Sequence, residues 1–536
     1  MLADLGFLIA LAGISSGLGD RLLVLSKMRP ARPTDAFAQA APLGLGLLAL
    51  GTLFLGLIGR LDRSSLLGLL ALSAAFGAFP GISLLASASS IALAKTLKTL
   101  RRGSMFDRGL LGIAILALVG TALATSTPVT DGDALCYHLQ VPKVFLAKHT
   151  IHFDPDLHET VYPLLTELLY AIALEFRGPV ACRGVQFLLG LIFACNVSLL
   201  ARPLLHGKAW WAGSIALLVP AISNGMTAPL NDVALASFGT AAIAATLRSI
   251  DRPSIRSTIL AGCMMGLALG VKYPALVLLG LLTLTILSHR FATGTRCRAS
   301  ASFGATLVFV TTALTVGGCW YFRAWINTGN PVFPYFRQVF GGAGLDEVLD
   351  PTRRAMAVTP WSVLTALIPM TLNPDRFESF SHQFGPLFLL VLPALALERP
   401  PRRLVLLVAI GYGFLIICVT QRQSTRFVLT ALGPLSVGVA YQLRGWSLRR
   451  TFPTRLILAT LLLALGMECA QAVARCRNGL PILVGRETPD QFLARREPTY
   501  RVGQWIDQNL PTTARLIGQD HRGFYIPRDY TMELAH

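Results

Sequence analysis

The sequence predicts an all-α polytopic membrane protein, a bundle of about 14 transmembrane helices. Of its 536 residues, 53% are hydrophobic and only 14% are charged, and the mean hydropathy is +0.58. A soluble domain carries about 25% charged residues. The chain also contains many apolar runs of about 20 residues, the length that crosses a bilayer. This composition excludes an ordinary cytosolic enzyme, a disordered chain and a nucleic-acid-binding protein.

The apolar runs divide the chain into three parts. The predicted spans lie at about 4–24, 37–59, 65–94, 109–126, 181–202, 209–223, 232–248, 257–271, 274–288, 302–321, 383–398, 404–420, 427–443 and 456–474. We expect an N-terminal three-helix membrane extension (1–103), a transmembrane core (104–474) with a first outer loop (127–180), and a small C-terminal region (475–536).

The basic residues predict the orientation of the bundle. The net charge is +19, and 40 of the 47 basic residues are arginine. Short loops rich in cations stay on the cytoplasmic side, and the connector after the third span is the strongest such loop, with Lys95, Lys98, Arg101, Arg102 and Arg108. The first outer loop and the C-terminal region are then extracytoplasmic. The abundance of Ala, Leu, Gly and Arg, with few lysines, indicates a GC-rich bacterial source and hence the bacterial inner membrane.

The first outer loop concentrates ionisable side chains. Four of the nine histidines, His138, His149, His152 and His158, lie within 21 residues, together with several carboxylates. Such a cluster directly after a span predicts a catalytic site at the bilayer face, although a solvated loop has the same composition.

Asp133 is the candidate general base in this loop. A carboxylate that is partly desolvated at the membrane surface can accept a proton, and on a helix Asp133 shares a face with Tyr137. The histidines and carboxylates also suggest a possible divalent metal, although their spacing matches no standard zinc pattern. No cofactor is firmly required.

Two further polar positions lie at span ends on the same side. Asp232, with Asn231, is either functional or caps the next helix. Lys272 is placed to pair with a phosphate, or it extends towards lipid headgroups.

Two arginines and a rigid segment complete the candidates. Arg323 and Arg426 lie at outer span ends, where they would hold a phosphate or anchor the helices. The run N-T-G-N-P-V-F-P, which includes Asn330, cannot form a regular helix. Such a segment is suited to line a lipid or sugar site.

Six motifs, in this order, resemble the bacterial GT-C glycosyltransferases, the superfamily of protein O-mannosyltransferases and aminoarabinose transferases. They are D-A-L-C-Y-H-L-Q-V-P-K (133–143), Y-P-L-L-T-E-L-L-Y (162–170), L-N-D-V-A-L-A (230–236), G-V-K-Y-P-A (270–275), W-I-N-T-G-N-P-V-F-P (325–334) and Q-S-T-R-F (423–427). The resemblance covers about 104–536 and implies a GT-C-like bundle with extracytoplasmic loops.

The resemblance implies a sugar donor carried on polyprenyl phosphate and transfer with inversion on the extracytoplasmic face. It assigns the base to Asp133, with Asp131 as the alternative, and a second acidic role to Asp232. Many relatives have a glutamate directly after the first aspartate, where this chain has Ala134. The residues expected to bind substrate are Tyr137, His138, Lys143, His158, Glu159, Tyr162, Lys272, Tyr273, Arg323, Asn330 and Arg426. The expected acceptor is a glycolipid, a glycan or a protein.

Three other functions compete with this interpretation. A transporter or flippase would place ionisable residues near the bilayer midplane. A polysaccharide ligase or polymerase would use a large late outer loop such as 322–382. A GT-C protein without activity would act as a scaffold.

Overall fold

The computed structural model describes residues 2–291, 299–341, 355–377, 383–449 and 451–532. Up to residue 328 the helices are α1 (Leu2–Leu25), α2 (Pro33–Leu57), α3 (Arg63–Arg102), α4 (Met105–Thr125), α5 (Gln140–Lys148), α6 (Leu165–Phe176), α7 (Pro179–Leu205), α8 (Trp210–Leu218), α9 (Pro220–Gly225), α10 (Asp232–Asp251), α11 (Ile255–Leu269), α12 (Ala275–Phe291) and α13 (Ala299–Thr328).

The remaining helices include several short ones. They are α14 (Arg337–Phe340), α15 (Pro360–Leu364), α16 (Leu367–Leu372), α17 (Leu387–Val391), α18 (Arg402–Gln421), α19 (Leu429–Arg449), α20 (Phe452–Cys476), α21 (Leu480–Leu483), α22 (Pro489–Arg496) and α23 (Pro498–Asn509). Two parallel strands, β1 (Arg515–Gly518) and β2 (Asp529–Met532), pair in the C-terminal region, with Arg515 opposite Asp529.

The multi-pass helical class is confirmed, but the count of 14 spans is not reproduced. Within the described ranges, nine helices are long and apolar enough to cross a membrane: α1 to α4, α7, α10, α13, α18 and α20. The predicted span at 209–223 is divided into α8 and α9 at Pro220, which lacks an amide hydrogen and disfavours a helical residue before it.

The other four differences come from helix length and polarity. The predicted span at 383–398 becomes the five-residue α17 followed by a 3₁₀ turn. Helices α11 and α12, at 15 and 17 residues, are shorter than the roughly 20 residues that span a bilayer. Helix α19 is long enough at 21 residues but is less apolar than the nine.

Glycines allow α1 and α3 of the N-terminal helices to pack backbone against backbone. A Cβ on Gly81 of α3 would overlap the Gly13 carbonyl oxygen of α1, and a Cβ on Gly17 would overlap the Gly77 carbonyl. Small residues allow this close approach between membrane helices, where van der Waals packing drives association. Helices α1 and α3 therefore pack tightly against each other.

We expect Gly81→Ala to lower the free energy of unfolding by about 1–3 kcal/mol, because the added methyl group meets rigid backbone. The matched control is Gly68→Ala in the same helix, where a Cβ meets nothing within 4 Å. Alanine favours a helix over glycine by about 1 kcal/mol, so Gly68→Ala should be neutral or stabilising. Thermal unfolding in detergent measures both variants, and equal midpoints would contradict the packing argument.

The two ends of the bundle differ in chemistry. At the end that the charge bias places inside, ion pairs join neighbouring helices: Arg202 with Asp35, Lys208 with Asp107, and Arg403 with Asp251. At the opposite end, the last turn of α4, the starts of α10 and α19 and the corner between α11 and α12 lie close together. The first outer loop and the C-terminal region cover this second end, where the candidate site lies.

Candidate active site

The first outer loop enters the site through a tight turn. Asp133 precedes a π-helical turn, Ala134–His138, which leads into α5. Single π turns are rare and occur frequently at functional sites. Asp133 therefore lies just before a π turn that contains Tyr137, and the two residues do not share an α-helix.

Two carboxylates and two cations form a continuous ionic cluster. Arg426, from the 3₁₀ turn Thr425–Val428 before α19, donates a hydrogen bond from Nη2 to Asp133 Oδ2 over 2.6 Å. Its Nε lies 3.9 Å from Asp232 Oδ2. Lys272 donates from Nζ to Asp232 Oδ1 over 2.6 Å. Residues 293 positions apart in sequence thus share one site.

Asp133 is the accessible member of this ionic cluster. Its side chain is 44% exposed, whereas that of Asp232 is 4% exposed. Burial disfavours the charged form of Asp133, but the neighbouring Arg426 guanidinium outweighs that effect and lowers the pKa of the carboxyl. Asp133 is therefore ionised at neutral pH and open to a hydroxyl group from solution.

Lys272 and Asn231 do not have the simpler roles considered for them, which were contact with lipid headgroups and capping of α10. The Lys272 ammonium lies 3.9 Å from the ring centroid of Phe427, in addition to its bond with Asp232, so it does not extend to lipid headgroups. Asn231 stands at the N-cap of α10, but its side chain makes no capping hydrogen bond.

Asp131 has a different environment from Asp133. Its Oδ2 lies 3.8 Å from Nη2 of Arg183, and burial raises the pKa of the Asp131 carboxyl. Arg183, in α7, also donates from Nη1 to the carbonyl oxygens of Thr127 and Pro128, each over 2.8 Å. This arginine fixes the backbone where the loop leaves α4. Asp131 therefore lies beside the arginine that fixes the loop backbone, while Asp133 is a member of the ionic cluster.

His138 is buried rather than presented to a substrate. Its Nδ1 lies 2.6 Å from Glu167 Oε1, and both side chains are 1% exposed. Asn231 donates from Nδ2 to the same Glu167 oxygen over 3.2 Å. The Tyr137 ring stacks on His138 at 3.9 Å between centroids. This network ties the π turn, through His138, to α6 and to the start of α10.

Aromatic side chains form a second group near Lys272. The Tyr273 ring lies 5.9 Å from Tyr162, 5.9 Å from Tyr321 and 5.7 Å from Tyr335, each edge to face. His158 in turn lies 5.7 Å from Tyr162. The expected substrate-binding residues Tyr162, Tyr273 and His158 therefore lie together.

Glu159 and His158 are buried titratable neighbours, 3.4 Å apart between Oε1 and Nε2. Burial raises the pKa of Glu159 from 4.5 to about 7, and burial lowers the pKa of His158 from 6.5 to about 4. Burial of each group disfavours its charged form. At mildly acidic pH both side chains are therefore predominantly neutral.

We expect Glu159 to contribute less stability as pH rises from 5 to 8, whereas His158, whose pKa is lowered, contributes more as pH rises through about 4 to 6.5. A carboxyl whose pKa is higher in the folded than in the unfolded state stabilises below the unfolded value, and this is lost as pH rises through about 7. The contribution is up to about 3 kcal/mol. Thermal unfolding at several pH values should therefore show Glu159→Gln gaining stability relative to the wild type as pH rises from 5 to 8. An unchanged pH dependence in the variant would contradict the assignment.

Three of the expected substrate-binding residues instead contact the protein backbone. The Lys143 ammonium donates to the carbonyl oxygens of Phe524 and Ile526. Arg323 donates from Nη2 to the His152 carbonyl over 2.9 Å. Asn330 is fully buried and stabilises its own turn: its Nδ2 donates to the Tyr335 carbonyl, and its Oδ1 accepts from the Val332 amide.

A divalent metal has no obvious set of ligands here. In the part of the chain that the structure describes, no group of three or more His, Cys, Asp or Glu side chains is arranged to hold a metal ion. The carboxylates of Asp133 and Asp232 have Arg426 and Lys272 as partners instead. The metal remains an expectation from composition.

Sequence reasoning missed Arg183 and Glu167. Arg183 lies within a predicted span, and the carbonyl groups that it binds are more than 50 residues earlier. Glu167 lies in the Y-P-L-L-T-E-L-L-Y motif but has no charged neighbour in sequence. A charged residue within an apolar run was the available signal for both, since such residues face the protein interior.

We compared the chain with known protein families, curated proteins and solved structures. A family model described as dolichyl-phosphate-mannose-protein mannosyltransferase matches residues 158–316. This range includes Asp232 and Lys272 but begins after Asp133 and ends before Arg426. No curated protein matches the sequence.

Among solved structures, ArnT from Cupriavidus metallidurans in the apo state is similar with a TM-score of 0.51 and 15% identity, over 78% of this chain and 84% of that one. The same protein bound to undecaprenyl phosphate has a TM-score of 0.50 and 14% identity, over 79% of this chain and 85% of that one. An archaeal oligosaccharyltransferase, AglB from Archaeoglobus fulgidus, has a TM-score of 0.43 and 14% identity, over 80% of this chain and 65% of that one. At identities this low, the two ArnT structures show a shared fold alone, and that fold agrees with the expected helical architecture.

Proposed function

We propose that this chain, with the GT-C-like fold of membrane glycosyltransferases, moves a sugar from a polyprenyl-phosphate donor to an acceptor hydroxyl. The reaction inverts the anomeric carbon and takes place on the extracytoplasmic face of the bacterial plasma membrane. The ionic cluster carries this proposal: an exposed carboxylate, Asp133, lies beside two cations, Arg426 and Lys272, at one end of a helical bundle.

The position of the ionic cluster suits a lipid-linked donor. A polyprenyl chain dissolves in the bilayer, so its phosphate lies at headgroup depth, at the level of the helix ends. Arg426 pairs with Asp133 and lies near Asp232, and Lys272 pairs with Asp232, so a donor phosphate would compete with these carboxylates for the two cations. An entering phosphate would form charge-assisted hydrogen bonds with these two cations.

The charges also suit a single displacement. Asp133 takes the proton from the acceptor hydroxyl as its oxygen bonds to the anomeric carbon. The bond from that carbon to the phosphate oxygen breaks, and the electron pair leaves with the phosphate. Arg426 and Lys272 stabilise the charge that develops there. Attack opposite the leaving group inverts the configuration.

Asp133 becomes available when the donor is bound. In the structure its carboxylate is held by Arg426. A donor phosphate competes for that guanidinium and releases Asp133 for the acceptor. Tyr273 directly follows Lys272 in sequence, and the aromatic group that it forms with Tyr162 offers an apolar wall for the sugar or the first prenyl units.

The location of the ionic cluster distinguishes this proposal from its rivals. A transporter is expected to hold its ionisable residues near the midplane, whereas Asp133, Asp232, Lys272 and Arg426 are at helix ends and loops. A ligase or polymerase would centre on 322–382, of which 342–354 and 378–382 lie outside the described residues. The acidic first loop supports transfer of a single sugar.

A donor panel tests the proposal. Purified protein is incubated with polyprenyl-phosphate sugars, polyprenyl-diphosphate glycans and nucleotide sugars, each with membrane extract as acceptor, with and without chelator. We expect release of polyprenyl phosphate from one or more of the first class. Transfer from the diphosphate glycans alone would indicate the ligase, and no transfer from any donor would favour the transport or scaffold functions.

A further inference from the structure

The C-terminal region crosses the first outer loop beside Asp133. We call residues 523–526 of this region the clasp. The amide of Phe524 donates to the Leu135 carbonyl over 3.2 Å, and the Tyr525 hydroxyl donates to the Val129 carbonyl over 2.9 Å. Leu135 and Val129 are both fully buried and lie on either side of Asp133 in sequence. The clasp therefore holds the loop before and after the candidate base.

Lys143 joins the clasp to α5. Its ammonium donates to the Phe524 carbonyl over 2.8 Å and to the Ile526 carbonyl over 2.7 Å, and it lies 5.7 Å from the centroid of the Phe524 ring. Burial lowers the pKa of Lys143 to about 8. A largely buried ammonium is costly unless it is hydrogen-bonded, and the two carbonyl groups of the clasp meet that need.

The clasp is itself anchored to α23. The Tyr525 ring meets Tyr500 edge to face at 5.3 Å between centroids. A Cβ on Gly503 would overlap the Tyr525 carbonyl oxygen, so the clasp lies directly on the α23 backbone. Just before the clasp, Arg522 pairs with Asp520 and with Glu497 at the start of α23. These contacts make the clasp a fixed support rather than a loose terminus.

We propose that the clasp sets the position of Asp133 and that Lys143 is a positioning residue of the reaction, not a ligand of the donor phosphate. This inference rests on the proposed function. Asp133 directly precedes the π turn that contains Leu135, so a shift of that turn moves the carboxylate relative to Arg426. A misplacement of about 1 Å can lower a rate by roughly 100-fold. The C-terminal region thereby becomes part of the active site without touching substrate.

The test uses the full-length protein and the donor that the panel identifies. Lys143→Met removes the two hydrogen bonds and the charge but keeps an unbranched side chain. Lys148→Met is the matched control, since Lys148 is in the same helix and half exposed. Tyr525→Phe removes the second contact with the loop, and Lys143→Arg restores a donor for both carbonyl groups.

We expect Lys143→Met to lower kcat by roughly 10- to 100-fold. The KM for the donor and the inhibition constant of added polyprenyl phosphate should stay within about twofold, since Lys143 does not touch the phosphate. Tyr525→Phe should give a smaller loss of kcat, and Lys143→Arg should recover most of the activity. Trypsin cleavage at Arg522 and Arg528, read by mass spectrometry, should increase most in Lys143→Met and less in Tyr525→Phe. Lys148→Met should match the wild type throughout.

Several results would overturn the inference. If the clasp opens to trypsin in Lys143→Met while kcat is unchanged, the clasp does not position Asp133. If donor KM and the inhibition constant rise while the clasp stays protected, Lys143 binds the phosphate. A wild-type protein inactive with every donor would overturn the proposed function and the catalytic role of the clasp with it. If the wild type is active and Lys143→Met has the same kcat, only the catalytic role of the clasp is overturned.

Discussion

Asp133→Asn should abolish sugar transfer, with a loss in kcat of roughly 10²- to 10⁴-fold, the range that general-base catalysis contributes. Asparagine has the shape of aspartate and can still accept a hydrogen bond from Arg426, so the ionic cluster should keep its geometry. It cannot take the acceptor proton. The initial rate of polyprenyl-phosphate release measures the effect, and thermal unfolding in detergent shows that the variant is folded.

Two variants in the same loop serve as controls for this prediction. Asp156→Asn changes an exposed carboxylate and should leave the rate unchanged. Asp131→Asn changes the carboxylate near Arg183 and should retain activity within about tenfold of the wild type, because Asp131 lies outside the ionic cluster and does not take the acceptor proton. If Asp133→Asn turned over at the wild-type rate while Asp131→Asn was inactive, the base would be Asp131.

Arg426→Met should produce the second large loss, of roughly 10²- to 10³-fold in kcat, as expected when one group that stabilises a developing anion is removed. Substitution of Arg426 tests the role of the cations more cleanly than substitution of Lys272. Removing Lys272 would leave the buried Asp232 without its 2.6 Å partner, and an uncompensated buried charge destabilises the fold.

The Arg426→Met variant should also change the pH dependence of the rate. Arg426 lowers the pKa of Asp133, so without Arg426 that pKa rises. Asp133 acts as a base only when ionised, and the acid limb of the pH–rate profile should therefore move to higher pH. The control is Arg422→Met, an exposed arginine in the same segment. A rate and pH profile in Arg426→Met equal to those of the control would contradict the role of Arg426.

The site could be predicted from sequence as a set of residues but not as an arrangement. The motifs around Asp133, Asp232, Lys272 and Arg426 identified four residues that the structure joins in one ionic cluster. Their catalytic roles remain predictions. No spacing rule relates Asp133 to Arg426, 293 residues away; only the convergence of helix ends at one side of the bundle brings them together.

Lys143 shows why chemistry alone was not sufficient. A lysine in an acidic outer loop suggested a phosphate ligand, but its partners are backbone carbonyl groups about 380 residues later. Every residue has a backbone carbonyl group, so the sequence does not show which of them accepts a hydrogen bond from a side chain. Arg323 likewise donates to a backbone group, the His152 carbonyl, which the sequence does not indicate.

The fold was predictable in class and less so in detail. Apolar composition and loop charge gave a multi-pass helical bundle, which the structure confirms. Hydropathy cannot separate a full span from a short buried helix, because a membrane protein buries both. Proline at the division of α8 from α9, and the shortness of α11 and α12, account for most of the difference in span count.

In the proposed function, the ionic cluster around Asp133 transfers a sugar from a lipid phosphate. The most direct test compares wild-type protein and Asp133→Asn in proteoliposomes that contain the donor identified by the panel, with polyprenyl phosphate and glycosylated acceptor measured together. We predict equal amounts of the two products from the wild type and initial rates of both lower by at least about 100-fold in the variant. Equal turnover by both proteins, or glycosylated acceptor without polyprenyl phosphate, would contradict the claim.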